Sequence, residues 1–282
     1  MELPRNRLLR GSCLMARRYL RHNVGIQSAA LAFYLLFTLF PFLIFISALL
    51  GLLRLDVEAI LVWLGQLLPR EVVDLAEMYL LHVTENSSPQ LLLFGLFFSI
   101  YFPMRAANSL MRAVRTAYHL GPPRRPIVHT FKSFLYTVVL ILVIAVTMTL
   151  LSVTDAALHY AMVHFGLPAA AAALWNRLRF PVVAAVAFFA IFGLYALSQD
   201  SRQPWRNIWP GALCALGAWM GMSLLYTLYV ENFANYSLVY GSIGTVIVVL
   251  IWLYLTAVVL IMGAEFNGTL LSMRRDARAE EQ

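Results

Sequence analysis

Along this chain, long uncharged apolar runs alternate with short segments in which the arginines gather. A membrane helix needs about 20 mostly apolar residues, because about 30 Å of hydrocarbon is crossed at about 1.5 Å per residue. The charge-free run between His22 and Arg54 meets that need, with its apolar body at 29–53. It is too long for the core of a signal peptide and lacks a small-residue cleavage site, so it is expected to stay in place. Further spans are expected at 134–153, at the shorter 181–198 between Arg179 and Asp200, at 209–230 and at 241–264. The remaining candidate, Leu91–Met104, is only fourteen residues long and stops at Arg105. Continued through Arg105 to Leu110 it reaches span length, giving 91–110 and six spans in all.

Charge placement tests this count. With the amino terminus inside, the inner segments 1–27, 105–132, 198–208 and 265–282 hold seventeen of the 21 Lys and Arg residues, and the outer segments hold four. Such a bias fixes orientation in the membrane. Leaving out 91–110 would put the 105–132 cluster on the same side as the acidic 54–90 loop. The pattern predicts an all-α, polytopic membrane protein, one integral domain over 1–282, with both termini cytoplasmic.

Two connections carry helical patterning of their own. In 54–90 the apolar positions Val57, Ile60, Leu61, Leu64, Leu67 and Leu68, then Val72, Ala76, Tyr79, Leu80 and Val83 after Pro69, predict an outer helical hairpin with an acidic polar side. In 1–27, Leu9, Cys13, Ala16 and Leu20 lie beside Arg7, Arg10, Arg17, Arg18 and Arg21, which predicts an interfacial helix held by anionic headgroups. The segment 265–282 is expected to be a cytoplasmic tail.

Composition excludes a soluble globule: 61% of the 282 residues are hydrophobic and 12% charged, against roughly 25% charged in soluble domains. The net charge of +7 invites a nucleic-acid reading. The arginines, however, sit between apolar runs, so orientation is the better account and no nucleic-acid partner is expected; membrane lipids are. Cys13 and Cys214 form no redox or zinc pattern. The six histidines, at 22, 82, 119, 129, 159 and 164, are read as scattered interfacial residues over both faces. No nucleophile, phosphate-loop or paired-acid motif occurs. No catalytic residue, metal ligand or cofactor is therefore assigned, and the chain is not expected to be an enzyme.

Ionisable residues inside a span cost about 2.5–3.5 kcal/mol on insertion scales and are the first functional candidates. Arg105 lies about 21 Å into its span, open to two readings: reaching the inner headgroups, or pairing with Glu265, which ends the last span after Gly263 and Ala264. Asn267 follows on the same side. The other polar cluster, Asn232, Asn235, Tyr236 and Tyr240, stands at the outer end of the last two spans with Gly241 and Gly244. Tyr34 is either a buried hydrogen-bonding side chain or an interface anchor. Gly217 and Gly221 form a GxxxG expected to mark a helix contact, as is Gly263. Pro41 should kink the first span and free a carbonyl for Thr38 or a neighbour to satisfy. No inverted repeat is evident.

The pieces Ala29-Ala30-Leu31-Ala32-Phe33-Tyr34 with Pro41, Pro210-Gly211-Ala212, Asn232-Phe233-Ala234-Asn235-Tyr236, Tyr240-Gly241-Ser242-Ile243-Gly244, Trp252-Leu253-Tyr254 and Gly263-Ala264-Glu265-Phe266-Asn267, in this order, resemble the BrkB/YihY family of bacterial inner-membrane proteins. One departure is Arg115, where members often carry Asn. The resemblance implies a multi-pass protein of the bacterial inner membrane. The family has carried a ribonuclease BN label, a virulence association and proposals of export or envelope-lipid handling. Three expectations follow: a transporter or exporter of an envelope lipid or other anionic amphiphile, a secondary transporter of a small solute or ion, or a non-transporting scaffold with envelope partners or a second copy of itself.

Overall fold

The computed structural model describes residues 7–52, 88–152, 168–199, 204–232 and 236–280. Among them are seven α-helices: α1 (Arg7–Arg21), α2 (Val24–Leu52), α3 (Pro89–Ala117), α4 (Pro126–Ser152), α5 (Ala169–Leu197), α6 (Trp209–Asn232) and α7 (Tyr236–Glu280). One 3-10 turn, Trp205–Asn207, precedes α6. No strand occurs among the described residues, and six helices are long and apolar enough to cross a membrane. The expected outer hairpin lies outside the described residues, apart from the last three of its range, 88–90.

The doubtful fourteen-residue candidate is a full helix. α3 starts where Ser88 Oγ accepts the N–H of Leu91 at 3.2 Å and Pro89 takes the first turn, and it runs through Arg105 to Ala117. Two expected connections are helical instead. α5 begins at Ala169, so Arg177 and Arg179 stand on the helix and not in an outer loop; the Arg179 guanidinium lies 4.9 Å from the centroid of the Phe180 ring. α7 continues past Ala264 to Glu280, 45 residues in all, so 265–280 is no free tail. Hydropathy falls there, but no proline interrupts it, and one side of this stretch packs against α1.

The chain separates into two compact units, one made of Phe33–Ala106 and the other of Met1–Ala32 with Ala107–Gln282. In the smaller, α2 and α3 meet closely at Gly95, where an added Cβ would come within 2.6 Å of the Phe45 backbone nitrogen. Aromatic rings line this contact: Phe37 faces Phe102 at 5.9 Å, and Phe102 stacks on Phe98 at 5.7 Å. Pro41 is accommodated within a continuous α2. Thr38 Oγ1 donates to the Tyr34 carbonyl at 2.8 Å, three residues before the Phe37 carbonyl that the proline leaves free.

In the larger unit, α1 packs on α7, α7 on α6, α6 on α5 and α5 on α4. The core holds Leu31, Met111, Val114, Leu194, Tyr195, Ile261 and Ala264, each at most 2% exposed. Tyr195 reaches from α5 to donate to the Leu260 carbonyl of α7 at 2.5 Å. Many other large apolar side chains face outward, as in helices solvated by lipid.

Candidate functional site

α1 and α3 both end on a residue in the left-handed conformation: Asn23 with φ 51° and His119 with φ 53°. Asn takes this conformation readily, while His does so far less often than Gly. Beyond α3 the N–H of Leu120 bonds the Arg115 carbonyl at 2.9 Å and that of His119 bonds Thr116 at 3.0 Å, a Schellman closure. Each helix end thus carries a histidine, His22 and His119, and the two rings meet edge to face with centroids 5.6 Å apart.

Arg18, on the last turn of α1, sits at the centre. Its Nη1 donates to the Ala117 carbonyl at the end of α3 (3.1 Å) and to Glu265 Oε2 on α7 (3.2 Å). Its Nη2 donates to Gly268 O and Ser272 Oγ, both at 3.3 Å, and meets His119 Nε2 at 3.0 Å. A guanidinium has no acceptor, so that ring nitrogen must accept. His22 Nδ1 donates to the other Glu265 oxygen at 2.5 Å. The side chains of Arg18 and Glu265 retain 10% and 1% of their exposure. A cation on the free carbonyls of a helix end is also favoured by the helix dipole. Lost hydration, and then the Arg18 charge, lower the pKa of His119.

Two residues along α7 from Glu265, buried Asn267 does a capping residue's work on another helix. Its Oδ1 accepts the Gly211 N–H at 2.7 Å, a group that the start of α6 leaves open, and its Nδ2 donates to the Ile208 carbonyl at 2.8 Å. Beside it α6 and α7 touch through glycines: a Cβ on Gly263 would lie 2.6 Å from Ala215 Cβ and 2.8 Å from the Gly211 carbonyl. Tyr118 donates to the Asn207 carbonyl at 3.3 Å, and burial pushes its hydroxyl pKa well up.

Several expectations are redistributed by this geometry. Glu265 is buried and ion-paired, with Arg18 and His22 as partners in place of the expected Arg105. Arg105 lies 5.7 Å from the centroid of the Tyr34 ring, which brings together two residues read separately. Arg18 is folded into the protein instead of facing headgroups. His22 and His119 form one cluster instead of lying scattered. Close packing falls at Gly211 and Gly263; Gly217 and Gly221 have nothing described within 4 Å of an added Cβ. Gly244 is buried on α7, while Asn235 and the side chains at Asn232, Tyr236, Tyr240 and Gly241 lie outside what is described.

Sequence reasoning missed Arg18, His22 and His119 as a unit. A buried carboxylate after Gly263-Ala264 signalled the need for a cation, and Arg18 was among the arginines on the same predicted side. Arg115, the departure from the resembled pattern, is also buried. Its Nη2 and Nε donate to the Gly121 carbonyl (2.7 and 3.1 Å) and its Nη1 to the Ser198 carbonyl (3.0 Å), tying the ends of α3 and α5 together. Among the described residues no three His, Cys, Asp or Glu side chains are placed to hold a metal ion.

Outside the cluster, an apolar groove of about 660 Å³ runs between α6 and α7, lined in part by Gly221, Met222, Leu225, Tyr226, Ile251 and Leu255. Both helices are candidate spans at this level. Tyr226 donates to the Val248 carbonyl across the groove at 2.5 Å.

Comparison with known proteins agrees with this architecture. The family described as virulence factor BrkB matches residues 15–282. Ribonuclease-like protein YfkH of Bacillus subtilis is 31% identical over 253 residues, covering 90% of this chain and 92% of that one. A UPF0761 membrane protein of Alteromonas mediterranea is 34% identical over 100 residues, 36% of this chain and 33% of its own. The UPF0761 membrane protein YihY of Salmonella paratyphi B is 30% identical over 89 residues, 32% and 31% of the two chains. No solved structure matches. With a match that runs from within α1 through the whole of α7, over six membrane-length helices, the chain belongs to the BrkB family of integral membrane proteins.

Proposed function

We propose that the protein exports or flips an anionic amphiphile, such as an envelope lipid, across the bacterial inner membrane, with both termini in the cytoplasm. The observation that carries this reading is the groove between α6 and α7. It is apolar, open along one side and lies within two membrane-length helices, as an acyl chain entering from lipid requires. The charged part of such a substrate finds its complement at Arg17, Arg21, Arg112, Arg124 and Arg125, all exposed; guanidinium groups hold phosphate oxygens in pairs. The buried polar residues serve differently. Glu265 and Asn267 are taken up by bonds within the protein and act as structural posts.

The test is transport by the purified protein in liposomes carrying a labelled anionic lipid in one leaflet. Movement that depends on the protein and slows when Leu225→Trp fills the groove is expected. A proton- or sodium-driven flux of a small solute without lipid movement would replace this reading by ordinary secondary transport. Neither flux would leave a scaffold docking envelope partners or a second copy.

A further inference from the structure

We propose that the Arg18–His119 contact is a proton-operated latch: His119 takes up a proton from the aqueous side, and that proton breaks the contact and lets the end of α1 shift while Arg18 stays held to Ala117 and Glu265. The chemistry is decided at one atom. His119 Nε2 lies 3.0 Å from Arg18 Nη2, and because the guanidinium only donates, the contact exists only while Nε2 is free of a proton. Protonation sets two N–H donors and two positive charges against each other. The bond between Nε2 and its proton forms at the expense of the Arg18 hydrogen bond, and Arg18 must move or lose that partner.

The groups facing His119 make the released state accessible. From α1 these are Arg18, Arg21 and His22; from α7, Glu265. Arg18 and Glu265 compensate each other, so a charge on His119 is an uncompensated addition. On its own helix, Tyr118 is turned to Asn207 and Arg115 to Gly121 and Ser198. Water reaches the exposed part of His119, which supplies the proton without passage through the membrane. The backbone adds a reason for placing the switch here: His119 holds a left-handed conformation at the helix end, and such strain persists where the surroundings enforce it. By linkage, a site that refuses the proton when latched binds it more tightly when open, so acid favours the open form. Freed from His119, Arg18 keeps its bonds to Glu265 and Ala117, so α1 shifts at its end without unfolding.

This inference stands whether or not the protein moves a substrate. The native thiols Cys13 on α1 and Cys214 on α6 are free and exposed, and spin labels on both report the position of α1 in the full-length protein in nanodiscs. A single distance population is expected near pH 7.5. Near pH 5, about 1.5 units below the ordinary histidine value, a second population should grow severalfold. His119→Gln, whose amide oxygen still accepts from Arg18 but does not titrate, should keep the first population at both pH values. A wild-type distance that does not change with pH, or the same change in His119→Gln, would overturn the latch. Histidine NMR gives an independent reading that does not need a variant to fold: a His119 titration at or above the ordinary histidine value, near 6.5, also refutes it.

Discussion

Asn267 caps a helix to which it does not belong, accepting the N–H of Gly211 and donating to the carbonyl of Ile208. Removing the amide leaves the buried Gly211 N–H without its partner, at about 1–3 kcal/mol for an unsatisfied group, while the Ile208 carbonyl keeps the N–H of Ala212. Asn267→Ala is therefore expected to lower the thermal midpoint of the detergent-solubilised protein, followed by intrinsic fluorescence. An unchanged midpoint would mean that water replaces the side chain.

The glycines of α6 separate by position. Gly211→Ala drives a methyl group into the Gly263 carbonyl and Asn267, atoms of a neighbouring backbone and a buried amide with little room to yield. Overpacking of this kind costs about 1–3 kcal/mol. Gly217→Ala and Gly221→Ala meet nothing described and should cost no monomer stability. Should they weaken self-association on native gels instead, this open face is where a second copy binds.

Removing one partner of the buried Arg18–Glu265 pair should cost up to about 3–5 kcal/mol, because the other group stays buried without that opposite charge. Arg18→Met and Glu265→Leu are each expected to reduce the folded yield sharply. The double variant should lose much less than the sum of the two, as coupled partners do. Strict additivity in chemical denaturation would show that the two charges act independently.

Stability should fall on acidification through the histidine range. The unfolded chain binds a proton at His119 near pH 6.5, while the folded chain refuses it until a lower pH, so stability rises with pH across that window and is lost below it. Thermal midpoints between about pH 7.5 and 5 should decline in the wild type and less steeply in His119→Gln. Equal slopes would assign the decline to other groups.

Orientation is open to chemical labelling. With Cys13 and Cys214 replaced by Ser, an impermeant thiol reagent added to spheroplasts should modify Glu77→Cys and spare Arg124→Cys. The opposite pattern would invert the proposed topology.

Hydropathy and arginine placement carried the architecture, since burying apolar residues in lipid leaves a pattern that composition records along the chain. Even α3 was legible, because charge parity demanded a helix through Arg105. Where helices end was less so. α5 and α7 run past their apolar runs, as charged residues such as Arg179 and Glu265 remain good helix formers once a ring or a neighbouring helix receives them. The candidate site was legible only by halves. Glu265 and Asn267 announced themselves as polar residues at a span's end, but their partners are far off in sequence: Arg18 by 247 positions, Gly211 by 56. A histidine that closes a helix in the left-handed conformation has no signature in spacing at all.

The length of α7 has a mechanical consequence. Its 45 residues extend about 67 Å, more than twice the hydrocarbon thickness, and three neighbouring positions, Gly263, Glu265 and Asn267, hold it to other helices. The stretch from Glu265 back to Tyr236, about 44 Å long, is also tied to α6 at Thr256 and Val248, so it moves about that grip together with α6 and not alone. Rotation of this helix pair by about 10° about the grip would carry its far end through about 8 Å.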